Sequence, residues 1–391
     1  MTVSLWQASG PLSSVRADLI VIGAGITGLS AARAAEDAGL SCVVLDSRAP
    51  GCSASGRNAG FLMRGAAENY AVAADHLGRV TARELWRWTE QNRCELEDIG
   101  VLDLPSCQKR PSCLLAFDDE EAEQLHRAYG MLIEDGFEAD LIEPGGAHTD
   151  DAVWTRASPS VGLVNPGDAV CNPIELMGLL CARLERSELV TGCEAYAIEQ
   201  APDGDRAVHT TLGTVRGSRV LVATNAYAER LCPGLAGRVA PNRGQMLAAH
   251  APRVRLDFAY YANHGSEYFR QLEPDYVVFG GARTHDEAGE RTSVDNVSEA
   301  IQDRLEKLCR DWLADEFRVI SRWAGIMGFS PDEVPLVGPV GGDPAVWFCG
   351  GFTGHGMSMA HRTAAVAVRA LAGADAVPDW MSIERALPTT A

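Results

Sequence analysis

The sequence predicts an α/β (α+β) protein in which a parallel sheet is interrupted by an inserted domain of antiparallel strands and helices. Three observations lead to this fold class. A strand, a glycine turn, a helix and a second strand follow one another over residues 18–46. The α/β pattern returns over residues 173–225 and again over 345–371. Strand-like, aromatic segments occupy residues 244–283, between those two returns. Since parallel α/β units stop and then resume, we expect one domain to be inserted into the other.

The first unit shows its elements most clearly. The apolar run from Leu19 to Ile22 predicts a short buried strand, which Gly23 closes with a tight turn. An alanine-rich stretch without proline then predicts a helix from Ile26 to Ala38. A second apolar strand ends at Asp46. Strand, helix and strand in this order form a right-handed parallel unit.

Further helices are predicted from apolar spacing at residues 81–99, 120–136, 174–186 and 298–313. We expect residues 1–85, 151–235 and 323–391 to form the nucleotide-binding domain. Residues 86–150 and 236–322 are expected to form the substrate domain. No internal repeat or low-complexity linker separates the two.

Composition excludes several classes of protein. The chain has 391 residues and a formal net charge of −19, which argues against nucleic acid as a partner. Its eleven cysteines form no CxxC pair, so we expect reduced thiols and no metal site. No secretory leader and no apolar run of transmembrane length is evident. We therefore expect a cytoplasmic protein that does not bind membranes; the oligomeric state is not predicted.

The first motif with chemical meaning is Gly23-x-Gly25-x-x-Gly28, placed between the first strand and the first helix. Gly23 allows the tight turn, Gly25 lets the backbone approach a pyrophosphate, and Gly28 allows close packing of helix on strand. The helix N-terminus offers amide donors to phosphate. The carboxylate of Asp46 can accept hydrogen bonds from ribose hydroxyls. Together these features predict a Rossmann-like dinucleotide-binding domain.

Four more segments make the chain resemble the FAD-dependent superfamily of D-amino-acid oxidase, glycine oxidase and sarcosine oxidase. Within it, the bacterial amine (γ-glutamylputrescine oxidase-like) branch is the most similar. The resemblance spans nearly the whole chain in the family's order. The segments are 53–60 (SASGRNAG), 224–227 (TNAY), 331–338 (PDEVPLVG) and 350–356 (GGFTGHG).

The resemblance implies FAD as cofactor and a set of residues that contact it. Members with covalent flavin attach it through a cysteine near the position of Gly325, so we expect non-covalent FAD here, with Cys52 as the alternative attachment site. The expected cofactor-binding residues are Gly23, Gly25, Ile26, Thr27, Gly28, Asp46, Ser47, Ser55, Gly56, Arg57, Asn58, Gly60, Ala195, Thr224, Asn225, Gly325, Gly351, Phe352, Thr353, Gly354, His355, Gly356 and Met357.

The expected catalytic residues combine the glycine loop with the aromatic strands. His355 is a candidate acid–base residue or, alternatively, a residue that holds the loop. Amine oxidation by hydride transfer needs a neutral nitrogen and a dry pocket that places the reacting C–H at flavin N5. Aromatic residues of the antiparallel sheet supply such a pocket in this superfamily, and some of those here belong to the core. The catalytic candidates are His355, Tyr268, Arg270 and Tyr260; the substrate candidates are Arg64, Tyr261 and Met327.

Two expected carboxylate anchors are missing. Amino-acid-oxidising members carry an arginine five residues before the aspartate matching Asp332, where this chain has Met327. Sarcosine oxidase-like members carry a lysine where Ser358 stands. We therefore favour an amine without an α-carboxylate, the alternative being that another cation binds the carboxylate. The candidates for that cation are Arg64, Arg243 and Arg270.

The leading functional hypothesis is an oxidase that converts an amine or amino acid and O2 into an imine and H2O2. An FAD-dependent dehydrogenase with another electron acceptor shares the same features. A monooxygenase would need a second nucleotide site, and no second glycine fingerprint is present. A non-catalytic FAD-bound subunit of a complex is the non-enzyme alternative, against which the intact loop at the flavin edge argues.

Overall fold

The computed structural model describes residues 15–146 and 151–385. Within these residues the chain forms nineteen strands and nine α-helices, numbered in chain order. The strands are β1 (Arg16–Ile22), β2 (Cys42–Leu45), β3 (Phe61–Leu62), β4 (Gln108–Lys109), β5 (Ser112–Ala116), β6 (Asp140–Ile142), β7 (Val161–Asn165), β8 (Ala169–Val170), β9 (Glu188–Val190), β10 (Ala195–Gln200), β11 (Arg206–Thr210), β12 (Gly213–Val222), β13 (Ala240–His250), β14 (Ala259–Ala262), β15 (Glu267–Glu273), β16 (Tyr276–Gly281), β17 (Arg318–Phe329), β18 (Leu336–Val340) and β19 (Asp343–Gly350). The helices are α1 (Ile26–Asp37), α2 (Tyr70–Leu77), α3 (Arg79–Asp98), α4 (Asp119–Glu134), α5 (Ala152–Arg156), α6 (Pro173–Ala182), α7 (Glu287–Glu290), α8 (Glu299–Trp312) and α9 (Gly356–Leu371).

The first sheet is built around five parallel strands. β1 pairs in parallel with β2 and β12, β2 pairs with β9, and β12 pairs with β19. Antiparallel β10, β11 and β18 extend this sheet. Because β1, β2, β12 and β19 are parallel, the loops at their carboxyl ends lie at one edge. Ligands of open α/β sheets bind at such an edge.

Helices α1 and α9 pack against one another beside the first sheet. Small residues make this packing close: Ala31, Ala32 and Ala35 of α1 are completely buried, as are Ala360 and Ala364 of α9. None of the helices in the described part of the chain is both long enough and apolar enough to cross a bilayer.

The second sheet has eight strands in the order β17-β13-β16-β15-β14-β5-β7-β6. All its neighbours are antiparallel except β14 and β5. One of its faces packs on α8, burying Ile301 and Leu305 with the stacked rings of Phe269 and Phe279. A third sheet, β3-β8-β4, has three short antiparallel strands.

This architecture confirms the predicted fold class of a parallel nucleotide-binding sheet combined with an antiparallel sheet and helices. The predicted helices are present, although α6 ends at Ala182, four residues before the expected end. Sheet membership departs from the expected domain boundaries at two places. β7 and all of β17 belong to the second sheet, whereas the boundaries at 151 and 323 assign β7 and the end of β17 to the nucleotide-binding domain. Residues 1–14, 147–150 and 386–391 of the expected domains lie outside the described residues.

A buried polar cluster joins the second and third sheets. Asp168, between β7 and β8, accepts hydrogen bonds from the Arg64 amide at 2.9 Å and from the Ser112 hydroxyl at 2.5 Å. The Arg64 guanidinium donates to Asn165 Oδ1 at 2.7 Å. Burial raises the pKa of Asp168 to about 7, against the lowering effect of these hydrogen bonds.

The unfolding free energy of the Asp168→Asn variant, measured relative to that of the parent chain, is expected to increase as the pH rises. Between an unfolded pKa near 3.8 and a folded pKa of about 7, the folded state holds a proton that the unfolded state has lost. The stability that this group contributes is therefore present at low pH and is lost as the pH rises to 7. The total loss is up to about 4 kcal/mol. Unfolding free energies from urea titrations at about pH 5 and about pH 8 measure the part of this loss that falls above pH 5, about 3 kcal/mol.

The matched control is Asp75→Asn, which changes an exposed carboxyl paired with Arg127. The pKa of Asp75 is lowered by that pairing, so this group stays charged over the same pH range. If the stability of Asp168→Asn relative to the parent is the same at both pH values, the pKa of Asp168 is not raised in the folded state.

Candidate active site

One cavity of about 780 Å³ lies where the carboxyl ends of the parallel strands meet the second sheet. Its volume is in the range of about 300–1,000 Å³ that is usual for cofactor and ligand sites. Loops after β1, β2, β12 and β19 line one part of the cavity. Residues of β13, β14, β15 and β17 line the other. Among the expected residues its wall contains Gly23, Gly25, Ile26, Thr27, Asp46, Ser47, Ser55, Arg57, Asn58, Ala195, Thr224, Asn225, Gly325, Met327, Phe352, Thr353, Gly354, His355, Gly356, Met357, Tyr261 and Tyr268.

The glycine turn after β1 brings backbone unusually close to backbone. Gly23 has φ +113°, and a Cβ there would lie 2.8 Å from the carbonyl oxygen of Ala223. A Cβ on Gly28 would lie 1.7 Å from the carbonyl oxygen of Gly23. Gly28 therefore lies behind the cavity wall and permits the helix to approach the strand, in the packing role that the motif predicts.

Asp46 fixes this turn from the end of β2. Its Oδ2 accepts a hydrogen bond from the Ala24 amide at 2.6 Å, and its Oδ1 accepts one from the Arg48 amide at 2.8 Å. The carboxylate also lines the cavity. Its remaining lone pairs can accept hydrogen bonds from the hydroxyls of a ligand.

The loop over residues 53–60 closes over the N-terminus of α1. Ser55 Oγ accepts a hydrogen bond from the Ile26 amide at 3.0 Å, and a Cβ on Gly25 would lie only 2.7 Å from that oxygen. Asn58 holds the loop in shape, since its side chain donates to the Ala54 and Ser55 carbonyls at 3.1 and 2.9 Å. The Arg57 guanidinium donates to the Cys52 and Ala324 carbonyls, both at 2.8 Å.

Three further expected glycines lie outside the cavity wall. A Cβ on Gly56 would lie 2.1 Å from the Gly51 carbonyl oxygen, and one on Gly60 would lie 1.8 Å from the Cys171 carbonyl oxygen. Gly351 has φ +75° and donates its amide to Asn225 Oδ1 at 2.8 Å. These glycines shape the loops around the cavity, and their expected contact with the cofactor stays a prediction.

The loop between β19 and α9 presents the N-terminus of α9 to the cavity. The turn contains Thr353 at φ +46° and Gly354 at φ +84°, and the Thr353 amide donates to the Gly328 carbonyl at 2.9 Å. No side chain caps this helix. The first amides of α9, at Gly356 and Met357, are therefore available to a ligand, as is the partial positive charge of the helix end.

His355 lies at the start of α9 with only 8% of its surface exposed. Its Nδ1 is 3.1 Å from the Thr353 carbonyl oxygen, which can only accept a hydrogen bond. Nδ1 therefore carries the proton, and Nε2 is a bare acceptor without a partner among the described residues. Burial lowers the pKa of His355 to about 4, and the nearby charge of Arg283 lowers it further against the effect of Thr353. The ring is neutral at neutral pH.

Two tyrosines form a pair on neighbouring strands, and one of them lies next to His355. Tyr261 of β14 and Tyr268 of β15 are directly opposite one another, with ring centroids 5.9 Å apart. The Tyr261 ring centroid lies 6.0 Å from that of His355. Gly280 leaves room for Tyr268, because a Cβ there would lie 2.4 Å from the tyrosine ring. Burial raises the pKa of Tyr268 to about 12, so its hydroxyl stays protonated.

The structure places Tyr260 on the opposite face of the sheet, which corrects its assignment as a catalytic candidate. Its side chain is completely buried, and its hydroxyl donates to Asp151 Oδ2 at 2.7 Å. Its ring stacks on Phe269, also in the core. Successive residues of a strand point to opposite faces, so Tyr261 reaches the cavity and Tyr260 does not.

The three arginines expected to bind a substrate carboxylate are occupied elsewhere. Arg64 donates to Asn165 Oδ1 and to the Glu138 carbonyl at 2.6 Å. Arg270 donates to the Ala59 carbonyl at 2.6 Å and to the Cys171 carbonyl at 3.0 Å. Arg243 pairs with buried Glu290 at 2.5 Å. None of the three lines the cavity, so their proposed contact with a substrate is corrected.

Several charged residues that sequence reasoning missed line the cavity, among them Arg283 and Glu333. Neither side chain makes a hydrogen bond or ion pair with another residue in the described part of the chain; the Arg283 guanidinium lies 4.9 Å from the centroid of the Phe329 ring. Arg283 follows β16 immediately after Ala282, whose φ is +58°. The only sequence signal is its position just after the Gly280-Gly281 pair of an aromatic-lined strand.

Comparison with known proteins identifies the family. Residues 18–370 match the DAO family, described as "FAD dependent oxidoreductase". The chain belongs to this family. The resemblance drawn from the sequence is thereby confirmed, and the cofactor is FAD.

Individual relatives agree with this assignment. Over 89% of the chain and 82% of the relative, the sequence is 26% identical to γ-glutamylputrescine oxidoreductase of Escherichia coli. It is 27% identical to glycine oxidase of Pseudomonas aeruginosa, over 92% of the chain and 96% of the relative. Glycine oxidase from Geobacillus kaustophilus has a similar fold, with a TM-score of 0.78 at 19% identity over 96% of this chain and all of that one.

The cavity residues fit FAD. The open N-terminus of α9 and the glycine turn at α1 offer backbone donors, and the Oγ1 of Thr224 is a buried polar atom without a partner in the described residues. The space at Gly25 is one that a Cβ would fill. Of the cysteines, Cys193 alone is part of the described cavity wall, where it lies near Asp46 and Ala195. Cys52 is not part of that wall, and residue 325 is a glycine.

Replacing Gly25 with Ala is expected to raise the dissociation constant of FAD at least about tenfold, which corresponds to about 1.4 kcal/mol. The added Cβ would displace Ser55 Oγ from the Ile26 amide and fill the space next to the turn. Titration of the apoprotein with FAD, followed by flavin fluorescence, measures the change.

The control is Gly130→Ala in α4, where an added Cβ meets no atom within 4 Å. This variant should bind FAD like the parent and be more stable by about 0.5–1 kcal/mol, because alanine is the better helix former. Unchanged FAD affinity in Gly25→Ala would show that this glycine does not form part of the cofactor site.

Proposed function

We propose that the chain oxidises a C–N bond of a small amine or amino acid and transfers the electrons to O2. The observation that carries this proposal is the bare Nε2 of neutral His355, buried between an open helix N-terminus and the Tyr261–Tyr268 pair. A neutral acceptor in an enclosed aromatic site suits a substrate nitrogen that is bound as a neutral amine. The printed activities of the two relatives, a glycine oxidase and a γ-glutamylputrescine oxidoreductase, are consistent with such a substrate.

We propose that the pyrophosphate of FAD lies at the glycine turn and that a flavin edge lies at the N-terminus of α9. Asp46 would then accept hydrogen bonds from the ribose hydroxyls, and the amides of Gly356 and Met357 would stabilise the negative charge that the flavin gains on reduction. Bound FAD would supply the two-electron acceptor for a hydride from the substrate carbon, and O2 would reoxidise it. We further propose that FAD is held non-covalently.

Under this proposal the two sheets have separate roles. The first sheet with α1 and α9 forms the FAD-binding domain, and the strands β13 to β17 form the wall that holds the substrate. Tyr261 and Tyr268 exclude water, and Tyr268 is a hydrogen-bond donor that cannot act as a base at neutral pH, because burial raises its pKa to about 12. Met327 gives this wall an apolar surface next to Gly354.

His355 is the residue that accepts a hydrogen bond from the substrate nitrogen. Its Nδ1–H donates to the Thr353 carbonyl, which fixes the ring and leaves Nε2 as the acceptor. A ring with a pKa of about 4 does not hold a proton at neutral pH, so Nε2 favours a neutral amine that donates one N–H to it and keeps its lone pair. That lone pair stabilises the iminium character that develops as hydride leaves the carbon.

The reaction balances as a two-electron oxidation. The carbon loses a hydride, the nitrogen loses a proton, and the C–N single bond becomes an imine. Water then adds to the imine and releases ammonia or an amine together with a carbonyl compound. O2 accepts the two electrons with two protons to give H2O2.

The test is anaerobic mixing of the holoenzyme with a panel of amines and amino acids, followed by admission of air. We expect loss of the flavin absorbance band on mixing and its return in air with one H2O2 formed per amine consumed. Bleaching without return in air would assign electron transfer to another acceptor. A flavin that no amine or amino acid bleaches would refute the proposal.

Replacing His355 with Phe is expected to slow flavin reduction at about pH 7 by roughly 10-fold, about the free energy of one hydrogen bond. The loss should be the same at each pH above about 5, because Nε2 is uncharged throughout and the substrate's own pKa sets the fraction of neutral amine in both enzymes. In the parent enzyme His355 is already neutral above about pH 5, so it should contribute no inflection near pH 6.5. Anaerobic stopped-flow absorbance gives the rate constants.

The control is His361→Gln, which alters a buried histidine of the same helix outside the cavity. His361 Nδ1 lies 2.9 Å from Ser30 Oγ, and its substitution should leave the rate of flavin reduction unchanged. A His355→Phe variant that reduces its flavin as fast as the parent would show that Nε2 does not bind the substrate.

A further inference from the structure

Residues 291–297, called the rim segment below, connect α7 to α8 at the boundary between the cavity and solvent. Ser293, Val294 and Asp295 of this segment are part of the cavity wall. Val294 is nevertheless 53% exposed, and the side chain of Asp295 is 38% exposed. Side chains that line a cavity and also contact solvent mark its opening, so the rim segment forms part of the cavity mouth.

Both ends of the rim segment are anchored to β13. On one side, Glu290 is completely buried, pairs with Arg243 and accepts a hydrogen bond from Gln245 Nε2 at 2.8 Å. On the other side, the Ser298 amide donates to Gln245 Oε1 at 2.9 Å, and Gln245 Nε2 donates to Ser298 Oγ at 2.9 Å. The rim segment therefore projects from two fixed points on the second sheet.

The middle of the rim segment reaches the loops of the first sheet through Asp295. Its Oδ2 lies 3.4 Å from Nη1 of Arg57 and 3.6 Å from Nη1 of Arg48. Arg48 follows β2, Arg57 belongs to the loop over residues 53–60, and both line the cavity. No other carboxylate in the described part of the chain lies within ion-pair distance of either guanidinium. One carboxylate thus joins the second sheet to two cations on the opposite side of the mouth.

The two arginines have further contacts that do not involve Asp295. Besides the two carbonyls that Arg57 binds, Arg48 Nη2 donates to Ser53 Oγ at 2.6 Å. These bonds remain when the Asp295 contact is broken. The Asp295 contact therefore determines whether the rim segment is closed, and the other bonds determine where the arginines lie.

The contact is of a kind that can open and close. The side chains of Arg48 and Arg57 are 41% and 32% exposed, so water competes for all three charged groups. Ion pairs between such groups are weak, and dissolved salt screens them. The buried anchors at Glu290 and Gln245 are shielded from solvent and hold the ends of the segment while its middle moves.

We infer that Asp295 is a positioning residue for FAD, which acts through Arg48 and Arg57 to hold the rim segment closed and so slows the release of the bound cofactor. Retention of the cofactor is independent of the reaction that it carries out. The same role is therefore expected for any substrate and any electron acceptor.

The rate constant of FAD release tests this role without a substrate. Holoenzyme that contains radiolabelled FAD is mixed with an excess of unlabelled FAD, and the label that stays with the protein is followed in time. Asp295→Asn should release FAD roughly three- to tenfold faster than the parent at low ionic strength. Raising NaCl from about 0.05 to about 0.5 M should speed release from the parent and have much less effect in Asp295→Asn. Asp295→Glu keeps the charge and should recover part of the slow release.

A double-mutant cycle separates this role from a general loss of structure. Arg48→Gln should speed release in the parent but add little in the Asp295→Asn background, because its partner is already gone. The matched control is Asp311→Asn, which removes an exposed carboxylate that pairs with Lys307 outside the cavity wall. This control should release FAD like the parent.

Release that is no faster from Asp295→Asn than from the parent would overturn the inference, as would an equal salt dependence in the two proteins. An effect of Arg48→Gln that is the same with and without Asp295 would also overturn it, since Arg48 would then act on FAD by itself. The Tm of each apoprotein identifies a variant that does not fold. If Asp295→Asn is such a variant, the Asp295→Glu and Arg48→Gln proteins and their salt dependence decide.

Discussion

The open N-termini of α1 and α9 face one cavity, and the rest of the site depends on that arrangement. Each helix start leaves amides without intrahelical partners and carries a partial positive charge. Among the described residues, only Ser55 compensates part of this at α1, and no side chain caps α9. A cavity bordered by such donors favours a ligand rich in oxygen and negative charge, and FAD has these features along its pyrophosphate and at the reduced flavin.

Bringing the two helices to one cavity requires backbone to approach backbone closely. Gly23 and Gly28 leave no room for a Cβ, so strand β1, the start of α1 and the end of β12 lie closer together than side chains would permit. The parallel pairing of β12 with β19 then sets the loop before α9 beside the turn before α1. The second sheet completes the enclosure, with the strand pair that carries Tyr261 and Tyr268.

Local signals in the sequence predicted the parts of the site that local geometry determines. The glycine turn, Asp46 and the loop before α9 depend on residues close in the chain, and the structure places them in the cavity wall. Strand register is not local: Tyr260 and Tyr261 are adjacent in sequence, and only their pairing with Phe269 and Tyr268 decides which one reaches the cavity. Which arginines reach the cavity is not a local property either. The guanidinium donors of Arg64 and Arg270 are taken up by amide and carbonyl oxygens from distant segments.

The charged residues of the cavity wall act on its neutral histidine. Burial is the main reason that the pKa of His355 is low, and the charge of Arg283 lowers it further. An anion bound to Arg283 would weaken the second effect and leave the first. The neutral state of the ring therefore does not depend on Arg283 alone, and the cavity can keep a neutral acceptor beside a cationic side chain.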